Sequence, residues 1–283
     1  TLRFMEENRN RPMFIFFSTN LPHGPVDIPP EENTYAGSPA IRQAYDNASG
    51  TNRECAGAAE EYASMVDKLD RQVGAIVDQV RKLGLDKRTI IIFSSDNGHE
   101  LYYRTDKGRG RGPDCHGGVL DSTGELLDVF RGSRGRIGPN KSIANLAGLK
   151  WTSHEGGIRV PLIISWPGTL PHGKVCHSLV ANYDHMASFA DLAGIRMPEG
   201  KDAVSYMDIL SGNSSRQRDY VVVDHTVITG DGWKLTQKQN KPFLFHIGRD
   251  PEERNNLAGT RKDQLEKLRA IYRKEVGSPR KDR

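Results

Sequence analysis

One long amphipathic segment constrains the fold of this chain more than any other feature. Between about residues 58 and 83, Tyr62, Met65, Val66, Leu69, Val73, Ile76, Val77, Val80 and Leu83 recur on one helix face. Gly84 follows as a residue able to take the left-handed turn that ends a helix. Short apolar runs flank this segment, residues 13–18 before it and 89–95 after it. Continuous apolar runs of that length are the pattern of strands buried on both faces. Strand, helix and strand in that order predict a βαβ unit, and hence an α/β domain whose mostly parallel sheet is flanked by helices.

The rest of the chain extends this plan. Residues 159–165 read as a third strand and 184–193 as a short helix stopped by Gly194. From about Ser205 the texture changes to short strands at 220–223, 233–235 and 243–247, followed by a helix at 261–276 that carries Leu265, Leu268, Ile271 and Tyr272. Adjacent short strands and then a helix predict a small antiparallel α+β subdomain, which divides the chain into residues 1–204 and 205–283. Residues 98–149 carry no sustained periodicity and are rich in Gly and Arg. A stretch of that length is either a functional loop or a disordered one. The longest apolar runs, 13–17 and 90–93, are far too short to cross a bilayer. Thr1 is not a start methionine and nothing near it reads as a signal peptide, so the expected chain is a processed one or a piece of something longer.

Net charge is +4 and the sequence pI about 8.9, a mild excess that favours anionic ligands without pointing to nucleic acid. Cys55, Cys115 and Cys176 form no CxxC pair and match no zinc spacing. GxSxG, P-loop and GxGxxG motifs are absent, and His99-Glu100 lacks the second histidine of a zinc-protease helix because position 103 is Tyr.

Ligands of open α/β sheets bind on loops leaving the carboxyl ends of strands. The first apolar run leads into Asn20-Leu-Pro-His-Gly-Pro25, and the second into Ser95-Asp-Asn-Gly98. Asp96 and Asn97 offer a carboxylate and an amide carbonyl, hard oxygen donors suited to Ca2+ or Mg2+; the same tripeptide with Gly98 also reads as a plain turn. His23 and Lys150, taken singly, read equally well as a loop histidine and a lone cation.

As an ordered set, these residues resemble the type I sulfatases of the alkaline phosphatase superfamily. The resemblance rests on Pro22-His-Gly-Pro25, the helix pattern around Asp70, Ser94-Ser-Asp-Asn-Gly98, and Lys150-Trp-Thr-Ser-His-Glu-Gly-Gly-Ile-Arg-Val-Pro161 with Ser165-Trp-Pro-Gly168. Asp231-Gly-Trp-Lys234 and Asp250-Pro-Glu-Glu-Arg-Asn-Asn-Leu257 resemble the family's closing subdomain signature. The resemblance implies that Asp96 and Asn97 supply half the ligands of a divalent cation, usually Ca2+, with Mg2+ the alternative. It also implies that His23 and Lys150 contact the sulfate, and that Glu155-Gly-Gly-Ile-Arg159 is scaffold. A sulfate ester is anionic, and its transition state moves charge onto the leaving oxygen. A cation and fixed donors stabilise that charge.

One departure stands beside the match. The family's nucleophile is a formylglycine made from the first residue of a Cys- or Ser-x-Pro-x-Arg motif, and none of the three cysteines begins one. The chain thus resembles the C-terminal portion of a sulfatase, and on its own it is expected to be inactive. The expected substrate is a small anion or a sulfated glycan, and Arg109 and Arg111 belong to a stretch read either as a cleft wall for it or as a surface insertion. Two other readings remain open, a phosphatase or phosphodiesterase of the same superfamily and a non-catalytic truncated homologue. By family analogy the location is periplasmic, secreted or lysosomal. Asn47-Ala-Ser49 and Asn213-Ser-Ser215 match glycosylation sequons.

Overall fold

The computed structural model describes residues 1–24, 28–47, 54–98, 146–147, 150, 152–212, 218–238 and 241–277. The stretch containing Arg109, Arg111 and Cys115, most of the sequon at 47–49 and the whole of that at 213–215 lie outside the described residues.

The amphipathic segment forms helix α3, Glu54–Lys82, preceded by α1, Leu2–Glu7, and α2, Pro39–Asn47. Gly84 ends α3 with φ +64°, and the Leu85 amide returns to the Val80 carbonyl at 3.0 Å in a Schellman closure. The apolar face of α3 divides between two small cores. Val80 packs with Met5 of α1, Leu85 and the partly buried Ile91, while Met65 packs with Ile28 and Tyr62.

Strand β1, Ile91–Ser94, pairs antiparallel with β2, Leu162–Ser165, in the register Ile91↔Ser165 to Ser94↔Leu162. The Trp166 indole N–H donates to the Lys87 carbonyl at 3.0 Å, which fixes the end of that register. The parallel βαβ unit expected from residues 13–18, the helix and 89–95 is therefore not what the described residues form. Apolar continuity marks a strand but carries no information on its direction, and the expected burial on both faces is not met either, since β1 is half-buried and β2 largely exposed. Residues 13–18 are assigned to no strand, and Phe14 and Phe16 stand 73% and 83% exposed. An apolar groove of about 310 Å3 lies between α3 and the sheet, lined by Val66, Val73, Val77, Phe93 and Ile163 among others.

After α4, Glu155–Ile158, and β2 come α5, Asp184–Leu192, and α6, Met207–Leu210. Asp184 is buried and accepts hydrogen bonds from the Ala181 and Val204 amides at 2.8 and 2.9 Å, tying α5 to the 204–206 segment. No helix among the described residues is long and apolar enough to cross a membrane.

The C-terminal part is an antiparallel meander of β3, Tyr220–Val223, β4, Thr226–Thr229, β5, Trp233–Lys238, and β6, Lys241–His246, in that spatial order. Helix α7, Lys262–Glu275, lays Leu265, Leu268 and Tyr272 on Val227, Trp233, Leu235 and Leu244. These seven side chains form the best-buried core of the described residues, with three of them fully enclosed. Strand β4 was not expected from the sequence. Its four residues sit between a two-residue turn, where Asp224 takes φ +51°, and the Gly230-Asp-Gly232 turn, so the apolar signal is too short to stand out.

Candidate functional site

The loop after residues 13–18 is held by short local bonds. The Leu21 amide donates to Thr19 Oγ1 at 3.2 Å, and the His23 amide to the Asn20 carbonyl at 2.8 Å. The Gly24 carbonyl lies 2.5 Å from His23 Nδ1 and can only accept, so Nδ1 carries the proton of the neutral ring. Nε2 is then an acceptor, and the Lys150 ammonium donates to it at 2.9 Å across 127 residues of sequence. The two side chains assigned to sulfate contact thus converge on one point.

Asp96 and Asn97 follow directly from β1. Asp96 is exposed and caps the Asn97 amide through Oδ1 at 2.9 Å. Asn97 Nδ2 donates to the Gly98 carbonyl at 2.8 Å, which fixes the amide plane and leaves Oδ1 as its acceptor end. Ser95 Oγ donates to the Asn97 carbonyl at 2.9 Å, and Asn182 Nδ2 to the Ser95 carbonyl at 3.1 Å, so the turn is braced from α5's approach as well. A carboxylate and an amide oxygen suit a hard divalent cation but do not complete its shell. No group of three or more His, Cys, Asp or Glu side chains able to hold a metal occurs among the described residues.

Gly98 plays a different part from the one the sequence implied. The sequence offers it as part of a plain turn; in the fold another backbone comes against it. A Cβ on Gly98 would lie 1.8 Å from the Gly156 carbonyl oxygen, and its amide donates to the Gly157 carbonyl at 2.9 Å. Only a glycine admits α4 this closely.

Behind α4 lies a charge cluster whose members the sequence contained but did not connect. Lys234 is fully buried, and its ammonium donates to Glu155 Oε1 at 2.9 Å and Glu253 Oε1 at 2.7 Å. Glu253 also accepts from the Glu155 amide at 2.8 Å and from His154 Nδ1. Arg159 approaches Glu155 from the exposed side at 3.7 Å, so the two carboxylates face two permanent cations. Burial alone would raise the Glu253 carboxyl pKa; the His154 hydrogen bond and the Lys234 charge outweigh it and hold the group below the ordinary carboxylate value. The available signal was a lysine inside the apolar strand Trp233-Lys-Leu235, where a charged side chain requires a buried partner.

The large apolar groove beside α3 contains none of these residues. The candidate site is instead a surface of loop ends: His23 with Lys150, and Asp96-Asn97 bonded through Gly98 to α4.

Solved structures define the class. A Bacteroides thetaiotaomicron protein, solved in work on that organism's metabolism of multiple glycosaminoglycans, superposes with TM-score 0.66 at 22% identity over 96% of this chain and 52% of its own. Ps i-CgsB, solved with k-i-k-neocarrahexaose, superposes with TM-score 0.64 at 23% identity over 99% of this chain and 58% of its own. The fold is the alkaline-phosphatase-like α/β fold of sulfatases, with the antiparallel subdomain at its C-terminal end. The Sulfatase family model matches residues 1–195, and the chain belongs to that family. A second model, N-sulphoglucosamine sulphohydrolase, C-terminal, matches residues 150–281. N-acetylgalactosamine-6-sulfatase of Canis lupus familiaris is 23% identical over 94% of this chain and 48% of its own length. Arylsulfatase of Klebsiella aerogenes is 30% identical over 47% of this chain and 29% of its own length. The chain spans about half the length of the former, and a smaller share of the latter.

Proposed function

We propose that this chain carries the anion-contacting part of a sulfuric ester hydrolase site that acts on sulfated glycans. Lys150 and His23 hold the sulfate group, and Asp96 and Asn97 supply part of the shell of a divalent cation, Ca2+ or Mg2+. The observation that carries the reading is the 2.9 Å approach of Lys150 Nζ to His23 Nε2 from opposite parts of the sequence. A sulfate oxygen entering there accepts from the ammonium in place of Nε2, and uptake of a second proton by the ring, at Nε2, makes His23 a further donor to the sulfate group. The cation would offset charge on the same group. Formylglycine supplies the nucleophile in this family; no cysteine of this chain lies in its motif, so no bond-forming step is assigned to these residues. The relatives that act on N-acetylgalactosamine-6-sulfate by name, and the carrageenan-type oligosaccharide bound by one structural neighbour, support a glycan substrate. The division at residues 204 and 205 belongs to the same proposal.

The test is calorimetric titration of the purified chain with a sulfated oligosaccharide and Ca2+, alongside Lys150→Met and His23→Ala. Binding by the native chain that each substitution weakens is the expected result; unchanged affinity in Lys150→Met overturns the assignment. Turnover of an aryl sulfate by the purified chain would show that these residues do supply a nucleophile and overturn the expectation that the chain alone is inactive.

A further inference from the structure

The buried charge cluster grips backbone, and that backbone leads to the candidate site. Glu253 accepts the Glu155 amide at 2.8 Å as well as the Lys234 ammonium, so the meander is fastened to the first residue of α4 and not merely to its side chain. From α4 two routes run outward. The Gly157 carbonyl accepts the Gly98 amide at 2.9 Å, directly after Asp96-Asn97. The Gly156 amide donates to the Ala147 carbonyl at 2.6 Å, three residues before Lys150, and the Ala147 amide in turn donates to the Pro251 carbonyl at 3.4 Å. The 250–253 turn is therefore bonded to Ala147 directly and, through α4, to Gly98, the residue after Asp96-Asn97.

We propose that Lys234 and Glu253 are positioning residues: their buried ion cluster with Glu155 sets α4 against Gly98 and Ala147, and so places Asp96-Asn97 and Lys150 relative to each other. The proposal rests on the reading of those residues as the site. Neither Lys234 nor Glu253 contacts substrate in it. Their effect passes through hydrogen-bonded peptides whose close approach leaves no slack, since Gly98 has no room even for a methyl group.

The experiment separates positioning from stability. In Glu155→Gln/Lys234→Met/Glu253→Gln no charge is stranded, so the thermal midpoint should return close to that of the native chain. Two readouts are then taken, the hydrogen-exchange rate of the Gly98 amide and Ca2+ affinity by calorimetry. The expected result is faster Gly98 exchange and Ca2+ affinity lower by about tenfold. A triple variant of native stability with native Gly98 exchange overturns the proposal. Should that variant not fold, Glu253→Gln, which keeps an acceptor for the Glu155 amide, is compared with Glu253→Leu, which removes it. Slower Gly98 exchange in the Gln variant than in the Leu variant supports positioning, and equal rates refute it. If the native chain binds no Ca2+, the cation assignment fails, while the Gly98 exchange comparison still decides the role of the cluster.

Discussion

Replacing Lys234 by Met is the sharpest test of the energetics behind α4. The substitution keeps most of the stem volume, so the cavity contribution is small and the electrostatic one dominates. It leaves Glu155 and Glu253, 3% and 2% exposed, facing each other without the ammonium that both now accept from at 2.9 and 2.7 Å. Stranding buried charge in this way costs about 3–5 kcal/mol. The pH dependence fixes the sign. In the native chain Glu253 sits below its unfolded pKa, so its contribution is present above about pH 4.5 and is lost only as acid titrates the folded group. In the variant the lowering by the Lys234 charge is lost, so the Glu253 carboxyl titrates higher than in the native chain and the folded state takes up its proton sooner as pH falls. The gap between native and variant must therefore narrow from about pH 7.5 to about pH 5. Urea unfolding followed by Trp fluorescence at both pH values measures it. A difference under about 1 kcal/mol at the higher pH, or a gap that widens in acid, would refute the reasoning.

Three further outcomes follow from the packing. Gly98→Ala places a Cβ 1.8 Å from the Gly156 oxygen and forces α4 outward, so urea unfolding should report a loss of about 1–3 kcal/mol; a native-like curve would mean the turn yields freely. Leu268→Ala opens a void in the best-buried core, between α7 and the meander, and should cost about 2–5 kcal/mol, read from the denaturation midpoint monitored at Trp233. His185 donates to or accepts from Tyr206 Oη at 2.7 Å, and burial lowers its pKa against the pull of Asp184. Native stability should hold above about pH 6.5 and decline below it as the unfolded chain takes the proton first, while His185→Gln flattens that slope; an unchanged slope would remove His185 as its source.

Helical periodicity exposed α3 apart from its first turn, Glu54 to Gly57, because a 3.6-residue stripe over seven turns has no competing explanation. The meander and α7 were legible for the same local reason, apart from β4. The direction of the β1–β2 pair was not, since alternation and continuity describe burial and not orientation. For the candidate site, Asp96 and Asn97 were singled out because they follow a strand end, and His23 and Lys150 because they fell within ordered motifs. Their convergence could not be read from spacing, as 127 residues separate them. The Lys234 cluster was invisible for a related reason. Its members lie 79 and 19 residues apart, and only the folded chain reveals that one ammonium serves both carboxylates.

Phe14 and Phe16, and Ile163 on β2 at 61%, leave large apolar side chains exposed to water. Exposed apolar side chains of this size favour association with other chains. The polypeptide should accordingly be handled at low concentration. Its light scattering should rise with protein concentration faster than its modest net charge can restrain, and polar substitution at Phe16 should lower that rise without changing any of the proposed site residues.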